Sequence, residues 1–145
     1  MDAALLEAWA FLQSSTIQSA HLMLAQSPEF MPYAIVVRVD GVLDFVEPDE
    51  PSADVQVAQI RRALADLASS GQIVAAAILS RIRRNIPLPD GTVDGVMIEM
   101  EYRGVGAVAF GYALRWEGTH PVLGDAWSAA RPPQLFGQGS SFLIT

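Results

Sequence analysis

Apolar positions recur at helical spacing in two stretches of the chain and as β-like runs in five others. Leu5, Leu6, Trp9 and Leu12, then Ile17, Ala20 and Leu24, predict a helix over 3–26. Ser14-Ser15-Thr16 interrupts that pattern, so the helix is expected bent or split in two. Pro28 and Pro32 close it. Val57, Ile60, Leu64 and Leu67 form a stripe at spacings of 3, 4 and 3, which predicts a second helix. Ser52 or Asp54 suits its N-cap, and Ser70-Gly71 its end.

The β-branched run Tyr33–Val39 reads as a strand, and Asp40-Gly41 as a two-residue hairpin turn into a second strand over 42–47. Residues 73–83, 95–103 and 106–116 read as three more, with a turn at Pro89-Asp90-Gly91 and a hairpin about Gly104-Val105. Residues 118–145 hold Pro121, Pro132 and Pro133 and are expected to be irregular, apart from a short element near 125–128. The Gly137-Gln-Gly-Ser-Ser tail is expected to be mobile. The order is α-β-β-α-β-β-β in a single α+β domain, 1–145. Two helices are expected on one face of a five-stranded, mostly antiparallel sheet.

A two-residue turn at Gly104-Val105 sets Met100 opposite Ala109, Ile98 opposite Gly111 and Tyr102 opposite Ala107. Large residues then meet small ones, which marks that face as the core. The other face sets Glu101 beside Val108, Glu99 beside Phe110 and Met97 beside Tyr112. An apolar ladder of Val108, Phe110, Tyr112, Leu114 and Trp116 is expected there, with Arg81 and Arg83 joining Glu99 and Glu101 from the neighbouring strand. An apolar patch of that extent marks an interface, a face covered by 118–145, or a ligand site. A homodimer through this ladder is the leading expectation, with Phe110→Glu splitting it.

Composition changes the picture in three ways. The chain has 145 residues, 51% of them hydrophobic, enough for a sizeable core. It has no cysteine, which excludes disulfides and thiolate ligands. Its 16 acids outweigh 9 bases, all arginine, for a net charge of −7. That argues against general nucleic-acid binding and suits a basic partner. The arginine-only basic set, with abundant Ala and Gly, reads as a GC-rich bacterial coding bias. The N-terminus lacks a leader pattern and no apolar run approaches a membrane span, so cytoplasm is the expected location.

Chemistry-bearing residues are few. His21 and His120 lack metal-ligand spacing; His120 with Glu117 and Asp125 makes at most a weak site, and no metal or cofactor is expected. Glu99 and Glu101 share a face about 7 Å apart. Neighbouring arginines would keep them ionised as a charge ladder; a desolvated member would allow acid–base work. Glu47, Asp49, Glu50 and Asp54 lack a calcium loop's spacing, and no nucleophile elbow or phosphate loop occurs.

Phe30-Met-Pro-Tyr-Ala34 with Asp40-Gly41 and Val46-Glu-Pro48, Gly71–Ile78, and Asp94–Gly104 with Ala109-Phe-Gly-Tyr112 form three blocks. Over 30–116 they resemble a family of small uncharacterised bacterial α+β proteins, whose members favour Pro where this chain has Gly111. The resemblance implies a fold and no activity. The element order also resembles the profilin-like and roadblock folds, and more distantly the cystatin-like cone. The expected function is a non-catalytic module that self-associates or binds a protein partner. The alternative is a small-molecule binder or small enzyme with a pocket near Glu99, Glu101, Arg81 and Tyr112.

Overall fold

The computed structural model describes residues 3–48, 53–84, 93–130 and 135–136. Two helices and six strands follow in the order α1 (Ala3–Gln26), β1 (Tyr33–Arg38), β2 (Leu43–Val46), α2 (Ala53–Ser69), β3 (Ile73–Arg84), β4 (Val93–Tyr102), β5 (Gly106–Glu117) and β6 (His120–Ala130). The strands form one open antiparallel sheet, ordered β2-β1-β3-β4-β5-β6. The class is α+β, with one strand more than expected. Ser52, the Pro89-Asp90-Gly91 turn and the Gly137–Ser141 tail lie outside the described residues.

The helices pack on opposite faces, not on one. Leu12, Ala20 and Leu24 of α1 pack with Ile35, Ala77, Leu79, Ile98 and Met100. Ile60, Leu64 and Ala68 of α2 pack with Ala34, Val36, Ala76 and Ile78. Side chains alternate along a strand, so β1 and β3 are buried on both sides and their apolar runs are continuous.

α1 is unbroken through Ser14-Ser15-Thr16. Thr16 is buried, and its hydroxyl donates to the Leu12 carbonyl at 2.6 Å, which satisfies it without leaving the helix. α2 ends in a Schellman motif: Gly71 N–H donates to Ala68 O and Gln72 N–H to Leu67 O, with Gly71 at φ 75°.

The sixth strand replaces the irregular segment expected after residue 117. Glu117 and His120 pair across a Gly118-Thr119 turn. Pro121 is tolerated because β6 is an edge strand and the proline is its second residue.

The β4–β5 turn is longer by one residue than the sequence suggests. Tyr102 pairs with Gly106 around Arg103-Gly104-Val105, and Val105 N–H donates to Tyr102 O at 3.0 Å. A one-residue shift moves every side chain of a strand to the other face. Ile98 therefore pairs with Phe110 and Met100 with Val108, while Glu99 meets Ala109 and Glu101 meets Ala107. The apolar ladder joins the α1 side, and the carboxylates lie among small residues on the α2 side.

Candidate functional site

The ladder residues can be placed one by one. Phe110 is 6% exposed in the α1 core, and Val108, Tyr112 and Leu114 pack partly buried against it. Trp116, at the strand end, is half exposed. Val108, Phe110 and Tyr112, with Trp9 and Trp127, line an open recess of about 620 Å³ between α1 and the β5–β6 edge.

The four residues expected around one pocket are not brought together. Arg81 pairs with Val96, and Val96 with Tyr112, so Arg81 and Tyr112 share the α1 face. Glu99 and Glu101 share the α2 face. Arg83 pairs with Asp94 in the backbone ladder, and its side chain lies outside the described set.

On the α2 face Glu99 forms an ion pair with Arg61 of α2. Glu101 is 4% exposed and accepts hydrogen bonds from the backbone N–H groups of Leu135 (2.9 Å) and Phe136 (2.7 Å). Arg103 stacks over the Phe136 ring, 5.2 Å from its centroid. Arg61, Leu64, Glu99, Glu101 and Leu135 line a cavity of about 160 Å³. Glu99 thus holds an arginine of α2, and Glu101 two backbone amides of the 135–136 segment. Further along, Trp127 lies on Gly111, where a Cβ would collide with the indole.

A second concave site had no signal in the sequence. The end of α1, the 27–32 segment and β2 enclose a groove of about 480 Å³, lined by Leu22, Met23, Phe30, Met31, Tyr33 and Phe45. Leu22 (57%), Met31 (59%) and Phe45 (59%) are three of nine large apolar side chains left exposed among the described residues. At its floor the Tyr33 hydroxyl hydrogen-bonds Ser19 Oγ at 2.6 Å. Burial raises the Tyr33 pKa, and the Ser19 bond partly offsets the rise. Glu29 and Glu47 stand at the rim.

Arg81 holds the groove's outer loop. Its side chain is 8% exposed. It donates to Pro28 O (2.6 Å), Asp94 Oδ1 (2.6 Å), Gly95 O (3.0 Å) and Glu29 Oε1 (3.3 Å). On the far side the Gln56 amide of α2 reaches Met31 Sδ at 3.4 Å. The loop is therefore tied to both layers, and the groove is a built feature of the fold.

The strand bordering the groove has a guarded edge. Arg38 N–H donates to Val42 O, so alternate residues Asp44 and Val46 turn their backbone groups toward β1, and Leu43 and Phe45 turn theirs outward. Phe45 N–H is taken by Asp44 Oδ1 at 2.9 Å, while Arg38 grips Asp44 Oδ2 at 2.8 Å. The Arg38 bond, then the Phe45 amide, lowers the Asp44 pKa.

Among the described residues no three His, Asp or Glu side chains gather closely enough to hold a metal ion, and no helix is long and apolar enough to cross a membrane. No family model, curated protein or solved structure matches the chain.

Proposed function

We propose that this chain is a non-catalytic binding module and that its binding surface is the groove between the end of α1, the 27–32 segment and β2. The observation that carries this reading is the gathering of Leu22, Met31 and Phe45, each more than half exposed, around one concavity of about 480 Å³. That volume lies in the range of ligand sites, and a concave apolar surface with a few polar groups is the usual form of one. Exposed apolar side chains scattered singly would need no explanation; three around one hollow do.

The test is uptake of Nile red, a neutral apolar dye. Its fluorescence should rise with the folded wild-type chain and fall by at least about half with Phe45→Glu or Leu22→Glu, an effect sized to the loss of a central apolar contact. Uptake that neither variant changes would overturn the reading.

A second reading keeps self-association at the β5 side. Val108 and Tyr112, with Trp9 and Trp127, line the recess beside the sheet's other edge. It predicts a wild-type dimer by light scattering that Tyr112→Asp splits. A wild-type monomer at high concentration removes it. Phe110→Glu cannot serve this test, because Phe110 belongs to the α1 core.

A further inference from the structure

We infer that the outer face of α1 is the surface through which two copies of this chain associate, with their α1 helices antiparallel. This goes beyond the groove reading, and the face is a different one from the recess at β5.

The first ground is how α1 is finished toward solvent. Glu7, Phe11, Ser14, Gln18, Leu22 and Ala25 recur at spacings of 4, 3, 4, 4 and 3, and all six are exposed. That spacing draws one line along a helix. It runs opposite the buried Leu12, Thr16, Ala20 and Leu24. Phe11 stands 60% exposed on it and Leu22 57%. Glu7 is the one formal charge in the 24 residues of α1, whereas α2 carries Asp54, Arg61, Arg62 and Asp66 in 17. A helix in water ordinarily sets charged side chains on the face away from the core. α2 obeys that rule and α1 does not, which marks the outer face of α1 for cover by another surface.

The second ground is charge, and it selects the partner. The chain has 16 acids and 9 bases, of which α1 holds one acid and no arginine. Two copies that each carry −7 repel wherever their acidic surfaces meet. An interface between copies therefore needs a face nearly free of carboxylates, and the outer face of α1 is such a face. To a strongly basic or acidic partner it offers one carboxylate and no cation, so little complementarity is available.

The third ground is self-complementarity. In a pair related by a twofold axis, residue i meets residue j and j meets i. Phe11 and Leu22 lie eleven residues apart, close to three full turns, so both point the same way. An axis midway between them lays Phe11 of each copy against Leu22 of the other. Ser14 and Gln18 then flank the axis, where short neutral side chains let the helices approach and hydrogen-bond across it. Glu7 falls far from the axis: at 1.5 Å per residue the two Glu7 carboxylates stand about 28 Å apart along the pair. The Debye length at physiological salt is about 8 Å, so they do not oppose the contact. A parallel pair would set Glu7 against Glu7.

The experiment measures association of the full chain by light scattering and sedimentation equilibrium. Wild type is compared with Phe11→Glu, with Leu22→Lys, and with both changes in one chain. Phe45→Glu in the groove and Ala58→Glu on the exposed side of α2 are the controls. Circular dichroism and urea midpoints verify that each variant is folded. We expect a wild-type dimer that either single change in α1 weakens about tenfold or more. The chain with both changes should regain most of the loss, because each new carboxylate faces the new ammonium group of the other copy. Within one helix the two groups are three turns apart and out of reach. The controls should shift association less than about twofold, as changes outside an interface do.

A wild-type monomer at high concentration, or a dimer that neither Phe11→Glu nor Leu22→Lys weakens, would overturn the inference. So would a dimer split by Phe45→Glu or by Tyr112→Asp and not by Phe11→Glu. A doubly changed chain no better associated than the single ones would overturn the antiparallel pairing. Phe11 is not part of the groove, so these outcomes and the Nile red result on Phe45→Glu are read separately.

Discussion

The two faces of the sheet are finished by different physics. On the α1 side one helix of 24 residues lies across a cluster of sixteen buried apolar residues that reaches from β1 to β5. On the α2 side a shorter helix packs mainly on β1 and β3, in a cluster of eight buried residues, three of them its own. Beyond it the α2 side is closed by an ion pair on Glu99, two amides on Glu101 and an indole on Gly111. Burial stabilises the first face in proportion to area. The second depends on a few directed contacts, each modest in net worth and costly to leave unmade.

This contrast can be broken at several points. Phe110→Glu places a charge in the α1 core and should remove about 4 kcal/mol or more, enough to unfold a marginal domain. Retention of the wild-type urea midpoint would show the core to be misplaced. Arg81→Met removes four hydrogen bonds from the loop where the α1 cover ends. It should cost about 2–3 kcal/mol in urea melts and abolish Nile red uptake.

On the other face the effects are smaller. Gly111→Ala must push Trp127 away and should cost about 1–3 kcal/mol by overpacking. Glu101→Ala should cost about 1–2 kcal/mol, and its signature is local: the Leu135 and Phe136 amides should gain fast hydrogen exchange while β4 stays protected. Unchanged exchange at those two amides would deny that Glu101 anchors them.

Tyr33→Phe is the mildest change. Burial raises the folded pKa of Tyr33 above its unfolded value, so its contribution is complete below about pH 10 and is lost as pH rises through the folded pKa. The variant should lower neutral stability by under about 1 kcal/mol through the lost Ser19 bond, and it should flatten the alkaline limb. Burial raises Tyr102 as well, so part of the alkaline loss should persist.

Much of the fold was legible because its signals are local. The Val57–Leu67 stripe marks α2, and the breaks at Pro28 and Gly71 fall where the chain ends its helices. Turn length was less legible. Val105 reads as either a turn or a strand residue, and that single residue decides which face carries Phe110. The double-sided cover was also written in the chain: Ala34–Val37 and Ile73–Leu79 are continuous apolar runs, the mark of strands buried on both sides. β6 was masked by Pro121, which an edge strand accepts. The groove had no signature, because Leu22, Met31 and Phe45 come from three elements and meet only in the folded chain.

The hold of Asp44 on the Phe45 amide has one more consequence. A bare strand edge is a template on which further chains stack into fibrils, and this clasp works as a gatekeeper against that. Its folded pKa is depressed, so the clasp is complete above the ordinary carboxylate value and lost as pH falls below it through the folded pKa. In strong acid the gatekeeper lets go while the backbone groups of Leu43 and Phe45 point outward. Acid, not heat, is therefore the condition in which thioflavin-positive aggregates should first form.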